Sequence, residues 1–207
     1  MQPFVRLAGP AAPIAEDNVD TDIIYPARFL LRMEKTGLGD VLFRDRRFTP
    51  DGTPRPDFVL NREPWRRATI LVAGRNFGCG SSREQAVWAL ADFGIRCVIA
   101  ASFGDIFRGN CLQNGILPVR LPDAALADVA GAALLGEEVL VDLDAQRICL
   151  SGQRSIDFTT EPAVREALMM GWDATEMILQ RERSAIAAFQ ERHRAANPWL
   201  FAQGACP

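Results

Sequence analysis

From residue 69 onward the chain alternates short apolar runs with longer amphipathic ones. Residues 69–73, 97–101 and 116–120 are nearly unbroken apolar stretches, the pattern of strands buried on both faces. Between them, residues 82–92 place Ala86, Val87, Leu90 and Ala91 at helical spacing, and a short helix is expected over 105–112. Pro122 and Asp123 open a further helix that runs to about residue 135. Strand–helix–strand alternation of this kind predicts an α/β fold with a parallel sheet and right-handed crossovers.

Beyond Gly136 the period changes. Residues 138–143, 147–150 and 155–158 alternate and are separated by turn residues such as Ser151-Gly152, which predicts β-hairpins. Residues 162–170 and 175–196 are helical in pattern, with Ile178, Ile186 and Phe189 on one stripe and an Arg/Glu mixture on a solvated face. Residues 1–60 read as irregular, rich in Pro, Gly and Asp, with one short helix over 27–36 and an exposed loop over 49–56. There is no internal repeat. The expected organisation is one domain over 1–207: an irregular N-terminal part (1–60), a β/α core (69–135), hairpins (136–160) and a helical tail (161–207).

Composition narrows the function. The chain of 207 residues carries a net charge of −3, so it has no basic field for nucleic acid. No apolar run approaches the roughly 20 residues of a membrane span. Residues 1–10 lack the charged and apolar regions of a signal peptide, so a cytoplasmic protein is expected. One histidine, His193, lies in a polar stretch and is a poor candidate for a Ser-His-Asp triad; a zinc site with several His ligands is impossible within the chain. Cys79, Cys97, Cys111, Cys149 and Cys206 form no C-x-x-C pair. Neither a disulfide framework nor an iron–sulfur cluster held by this chain is expected, and most of these thiols should be buried and reduced.

The most informative segment is Gly74-Arg75-Asn76-Phe77-Gly78-Cys79-Gly80-Ser81-Ser82-Arg83-Glu84-Gln85, between a predicted strand and a predicted helix. Loops at the carboxyl ends of parallel strands are where open α/β sheets bind ligands. Gly78 and Gly80 permit a sharp turn and close approach. Ser81 or Ser82 is expected to cap the helix, with Glu84 or Gln85 completing a capping box. Free N–H groups at the helix start attract an anion, and Arg83 offers a two-pronged fork for a carboxylate. The segment is neither a Walker A loop, nor G-x-G-x-x-G, nor G-x-S-x-G. It reads as an anion cradle with a hydroxyl at its centre, or as a well-capped helix after a tight turn.

Gly-Cys-Gly-Ser-Ser-Arg-Glu with Asn76-Phe77 upstream resembles the signature of the aconitase superfamily's swivelling domain, most nearly the separate small subunits of the isopropylmalate dehydratases. Asn18-Val19-Asp20-Thr21-Asp22 with Pro26 and Phe29-Leu30 matches the family's Asp-Thr-Asp element. Asp57-Phe58-Val59-Leu60-Asn61, Trp88-Ala89-Leu90, Ser102-Phe103, Asp105-Ile106-Phe107, Gly109-Asn110 and Leu117-Pro118-Val119 also match, so the similarity runs in order over about 1–190.

The resemblance implies a swivelling β/β/α domain with a parallel core, added hairpins and C-terminal helices. It implies a hydro-lyase of two subunits that moves a hydroxyl between neighbouring carbons of a hydroxy-diacid in leucine biosynthesis. A [4Fe-4S] cluster is expected on the large subunit, and no metal on this chain. By the same resemblance Ser81 is the base, as an alkoxide, and Arg83 holds a substrate carboxylate with Ser82 beside it. Asp22 is a second candidate for proton handling, or alternatively a turn-forming cap. Arg28, which no family motif matches, is the candidate for the second carboxylate from its position a few residues after Asp22. Cys79 is expected to be a small packed residue, not a cluster ligand. Gln85 stands where the isopropylmalate subunits usually carry His, so citraconate, homoaconitate and dimethylmalate stay open as substrates. A non-catalytic anion-binding module is the rival reading.

Overall fold

The computed structural model describes residues 1–32 and 34–201. Its elements, in order, are β1 (Arg6–Ile14), α1 (Thr21–Ile24), α2 (Arg44–Arg47), β2 (Ile70–Ala73), α3 (Glu84–Phe93), β3 (Cys97–Ala100), α4 (Asp105–Gln113), β4 (Leu117–Arg120), α5 (Asp123–Leu134), β5 (Glu138–Asp142), β6 (Arg147–Cys149), β7 (Ser155–Asp157), α6 (Pro162–Met170), α7 (Ala174–Arg181) and α8 (Arg183–Ala196).

All seven strands join one sheet in the order β4-β3-β2-β1-β5-β6-β7. The first four run parallel, with Ala11 opposite Ile70, Ile70 opposite Cys97 and Cys97 opposite Leu117. The rest is antiparallel, hinged on the pairing of Arg6 with Asp142 and Pro10 with Glu138. The fold is therefore α/β with a parallel core and appended hairpins, as expected.

The uninterrupted apolar strands are buried on both faces, and their side chains divide by period two. Leu71, Ala73, Val98 and Ala100 enter one core with Val87 and Leu90 of α3 and Phe107 of α4. Ile70, Val72, Cys97, Ile99, Leu117 and Val119 enter the other with Val129 and Ala132 of α5 and Leu168 of α6. Cys97 and Cys111 are buried, and burial pushes both thiols well above the usual range. Cys79 and Cys149 are half-buried, and Cys206 lies outside the described residues.

Two N-terminal expectations are corrected. Residues 1–60 are not irregular throughout: β1, nine residues long, lies at the middle of the sheet. The helix expected over 27–36 is, in the described residues, one 3-10 turn at Ala27–Phe29 followed by turns and bends. Beyond Phe29 and Leu30, which pack on the core, the described residues of that stretch are exposed, Leu31 at 93% with Glu34, Lys35 and Thr36, so they bury no apolar side chain that would hold a longer helix.

Candidate active site

The parallel strands all end on the same edge of the sheet, and three of their loops are joined there by backbone bonds. After β1, the Gly78 N–H donates to Val19 O (2.7 Å) and the Thr21 N–H donates to Cys79 O (2.9 Å). After β3, the Phe77 N–H donates to Ser102 O (3.0 Å) and the Gly104 N–H donates to Phe77 O (2.9 Å). The segment after β2 thus lies between the other two as a short extra strand, bridging Asp20 and Phe103. Gly78 makes this possible: its φ is +72°, and a Cβ there would run into the Phe107 ring.

Ser81, Arg83, Thr21, Asn76, Cys79, Gly80, Asp105 and Asn110 line a cleft of about 330 Å³ on this edge. Ser81 is exposed, and its backbone carbonyl is fixed by the Thr21 hydroxyl, which donates to it at 2.8 Å. The Arg83 side chain is 16% exposed; its guanidinium pairs with the Asp22 carboxylate and also reaches Tyr25 O at 3.4 Å. The hydrogen bond from Arg83, then the one from the Ala27 N–H (2.8 Å), holds the Asp22 carboxyl below its ordinary pKa. A carboxylate held in this way is a poor base and a good orienting partner.

The expected serine cap is not formed. Helix α3 begins at Glu84, Arg83 is its N-cap in extended backbone, and no side chain caps it. Glu84 turns sideways instead: its Oε1 accepts from Asn114 (2.9 Å) and from the Trp88 indole (3.2 Å). The Ser81 hydroxyl is therefore not tied up in the helix start, and the first N–H groups of α3 keep their attraction for an anion.

The structure brings together Ser81, Arg83 and Asp22. Ser82 is exposed and lies outside the cleft lining. Arg28 is held elsewhere: Asp45 clamps it in two-pronged fashion, with one bond of 2.9 Å, and it lines a neighbouring cleft with Phe29, Arg44 and Arg55. Sequence reasoning missed Thr21 as the anchor of Ser81 and Asp45 as the partner of Arg28. Thr21 stood in plain view between the two aspartates, whereas nothing in the sequence marks Asp45. Asn110 lines the cleft, and Asn114 ties Glu84 to Lys35.

Among the described residues no three His, Cys, Asp or Glu side chains gather as a metal-ligand set. An iron–sulfur cluster does not fit the donors among the described residues: Cys97 and Cys111 are sealed in the core, and the half-buried Cys79 has no cysteine or histidine beside it in the cleft.

Residues 1–124, which hold β1 to β4 and the loops that meet at the serine cleft, match the family described as the aconitase C-terminal domain, so the chain is an aconitase-type domain. The chain is 52% identical to the 3-isopropylmalate dehydratase small subunit of Rhodospirillum centenum, over 97% of this chain and 100% of that protein. It is 49% identical to the protein of the same name from Paramagnetospirillum magneticum, with the same coverage. A crystal structure of 3-isopropylmalate dehydratase from Methanocaldococcus jannaschii superposes with a TM-score of 0.66 at 27% identity, over 89% of this chain and 99% of that one. The chain belongs to the family of 3-isopropylmalate dehydratase small subunits.

Proposed function

We propose that the chain supplies the proton-handling half of a hydro-lyase that interconverts 2- and 3-isopropylmalate by dehydration and rehydration. The observation that carries this reading is an uncapped, exposed Ser81 beside the start of α3, with a nearly buried guanidinium two residues on. In the dehydration step a base takes a proton from the carbon next to a carboxylate while hydroxide leaves the neighbouring carbon. The rehydration step returns both in exchanged positions. Ser81 as alkoxide is the base. A free serine is far too weak for this, and the positive end of α3 together with Arg83 stabilises the anion. Arg83 grips a substrate carboxylate, with its fork oriented by Asp22.

Ser81 is exposed on this edge of the sheet, and the proposal includes a large subunit that covers the edge and holds the [4Fe-4S] cluster, which would serve as Lewis acid there. Among the described residues no helix is long and apolar enough to cross a membrane, and a cytoplasmic place belongs to the same proposal. Co-expression with a cluster-bearing large subunit, assayed against isopropylmalate, citraconate, homoaconitate and dimethylmalate, tests the reading. Turnover of isopropylmalate by the pair and by neither part alone is expected. A preference for another diacid would move the substrate and keep the reaction, and no turnover of any would sink it.

A further inference from the structure

We propose that Arg28, Arg44 and Arg55 form a receiving site for small dicarboxylates in a cleft distinct from the serine cleft. The three arginines, with Phe29, Phe48 and Asp45, line a cavity of about 460 Å³. Asp45 is the single acid in that lining, so the cavity carries a surplus of two positive charges in a chain whose net charge is −3. A larger cavity over the ends of β3 and β4 makes the contrast. It also has three arginines, Arg75, Arg108 and Arg120, but Asp105, Asp123 and Glu161 balance them.

The guanidinium groups are held in place before any ligand arrives. Arg28 is clamped by Asp45 and lies over the Phe29 ring at 4.7 Å. Arg44 lies over the Phe48 ring at 4.6 Å, and Arg55 Nε donates to Phe48 O at 3.2 Å. Among the described residues neither Arg44 nor Arg55 pairs with a carboxylate, so their charges are left for a ligand. Stacked, planar forks suit carboxylates better than a point charge does. Two uncommitted forks and a third already shared suit two carboxylates, not one.

The location gives the site its use. Arg28 acts electrostatically on Asp22, and Asp22 pairs with Arg83 at the serine cleft. A dianion received between Arg44 and Arg55 is thus one ion pair away from the arginine that the proposed reaction uses. The identity of the dianion rests on the hydro-lyase reading; the existence of the site does not. Fields of this kind raise the capture rate of a charged ligand by roughly 10- to 1,000-fold and weaken with salt.

The test is a nuclear magnetic resonance titration of the full chain with malate, following the arginine Nε signals, with acetate in parallel. Malate should shift Arg44 and Arg55, bind at least about tenfold tighter than acetate, and weaken as salt rises. Arg44→Glu/Arg55→Glu should weaken malate at least about tenfold, with Arg55→Gln intermediate, while the charge-matched Arg67→Glu/Arg154→Glu stays within about twofold. Equal malate affinity in both double variants, or no malate binding to the unaltered chain, overturns the proposal. If the first double variant does not fold, Arg55→Gln decides alone. Failure of the hydro-lyase reading would show in the co-expression assay and leave this titration standing.

Discussion

The segments that meet at the serine cleft and the helices that end the chain make opposite use of their backbone. Residues 74–83 have little regular structure, yet inter-loop bonds tie them on both sides to the loops after β1 and β3. Helices α7 and α8 are regular, and α7 begins with a full capping box between Asp173 and Glu176. Neither buries a residue, however: Ile178 is 59% and Phe189 58% exposed. Regular structure and rigidity are thus separate properties here. The glycine-serine loop is fixed by tertiary hydrogen bonds and one aromatic contact, Phe77 edge-on to Phe107, and not by secondary structure.

This contrast can be broken most forcefully at Gly78. A valine there meets both a left-handed backbone and the Phe107 ring, so Gly78→Val should cost about 3 kcal/mol or more in urea unfolding. A loss under about 1 kcal/mol would mean that the loop yields easily and is not locked.

A smaller effect is expected from the Arg83–Asp22 pair. The pair lowers the Asp22 pKa in the folded state, so its stabilisation is complete above the ordinary carboxylate value. It is lost as pH falls from there through the depressed folded value. Because Asp22 is 57% exposed, solvent screening limits this to about 1 kcal/mol or less. Unfolding curves from about pH 7 down to about pH 2 should lose stability less steeply for Asp22→Asn than for the unaltered chain. Identical slopes would show that the pair orients Arg83 without stabilising the fold.

The smallest effect belongs to the tail. Removing residues 183–207 deletes α8, whose described residues bury no side chain, so the unfolding free energy should move by less than about 1 kcal/mol. A larger drop would place hidden support in α8 and erase the contrast.

Much of this was legible in the sequence where burial is two-sided. The unbroken apolar runs of β2, β3 and β4 declare themselves because both faces are covered. β1 does not, since Gly9, Pro10 and Pro13 argue against a central strand. The structure shows how it tolerates them. Residues 6–10 pair with β5 on one side and residues 11–14 pair with β2 on the other, so each half of β1 is paired along one side. The glycine-serine loop announces an anion site through its residue types and its place between a strand and a helix. Its cap misleads because Ser and Glu at capping-box spacing say nothing about where the helix starts. Here the zipping of residues 77–79 delays the start to Glu84. The clamp of Asp45 on Arg28 joins residues 17 positions apart through a loop fold that no local pattern encodes.

The central claim, that Ser81 is the base, is tested most directly by Ser81→Ala in the enzyme assembled with its large subunit. Since the Ser81 side chain caps no helix, the substitution should leave thermal unfolding within a degree or two and substrate binding intact. Turnover should fall by roughly 10²- to 10⁴-fold, the usual contribution of a positioned base. A Ser81→Ala enzyme that melts normally, binds substrate and keeps most of its turnover would contradict this assignment and move the proton to another group.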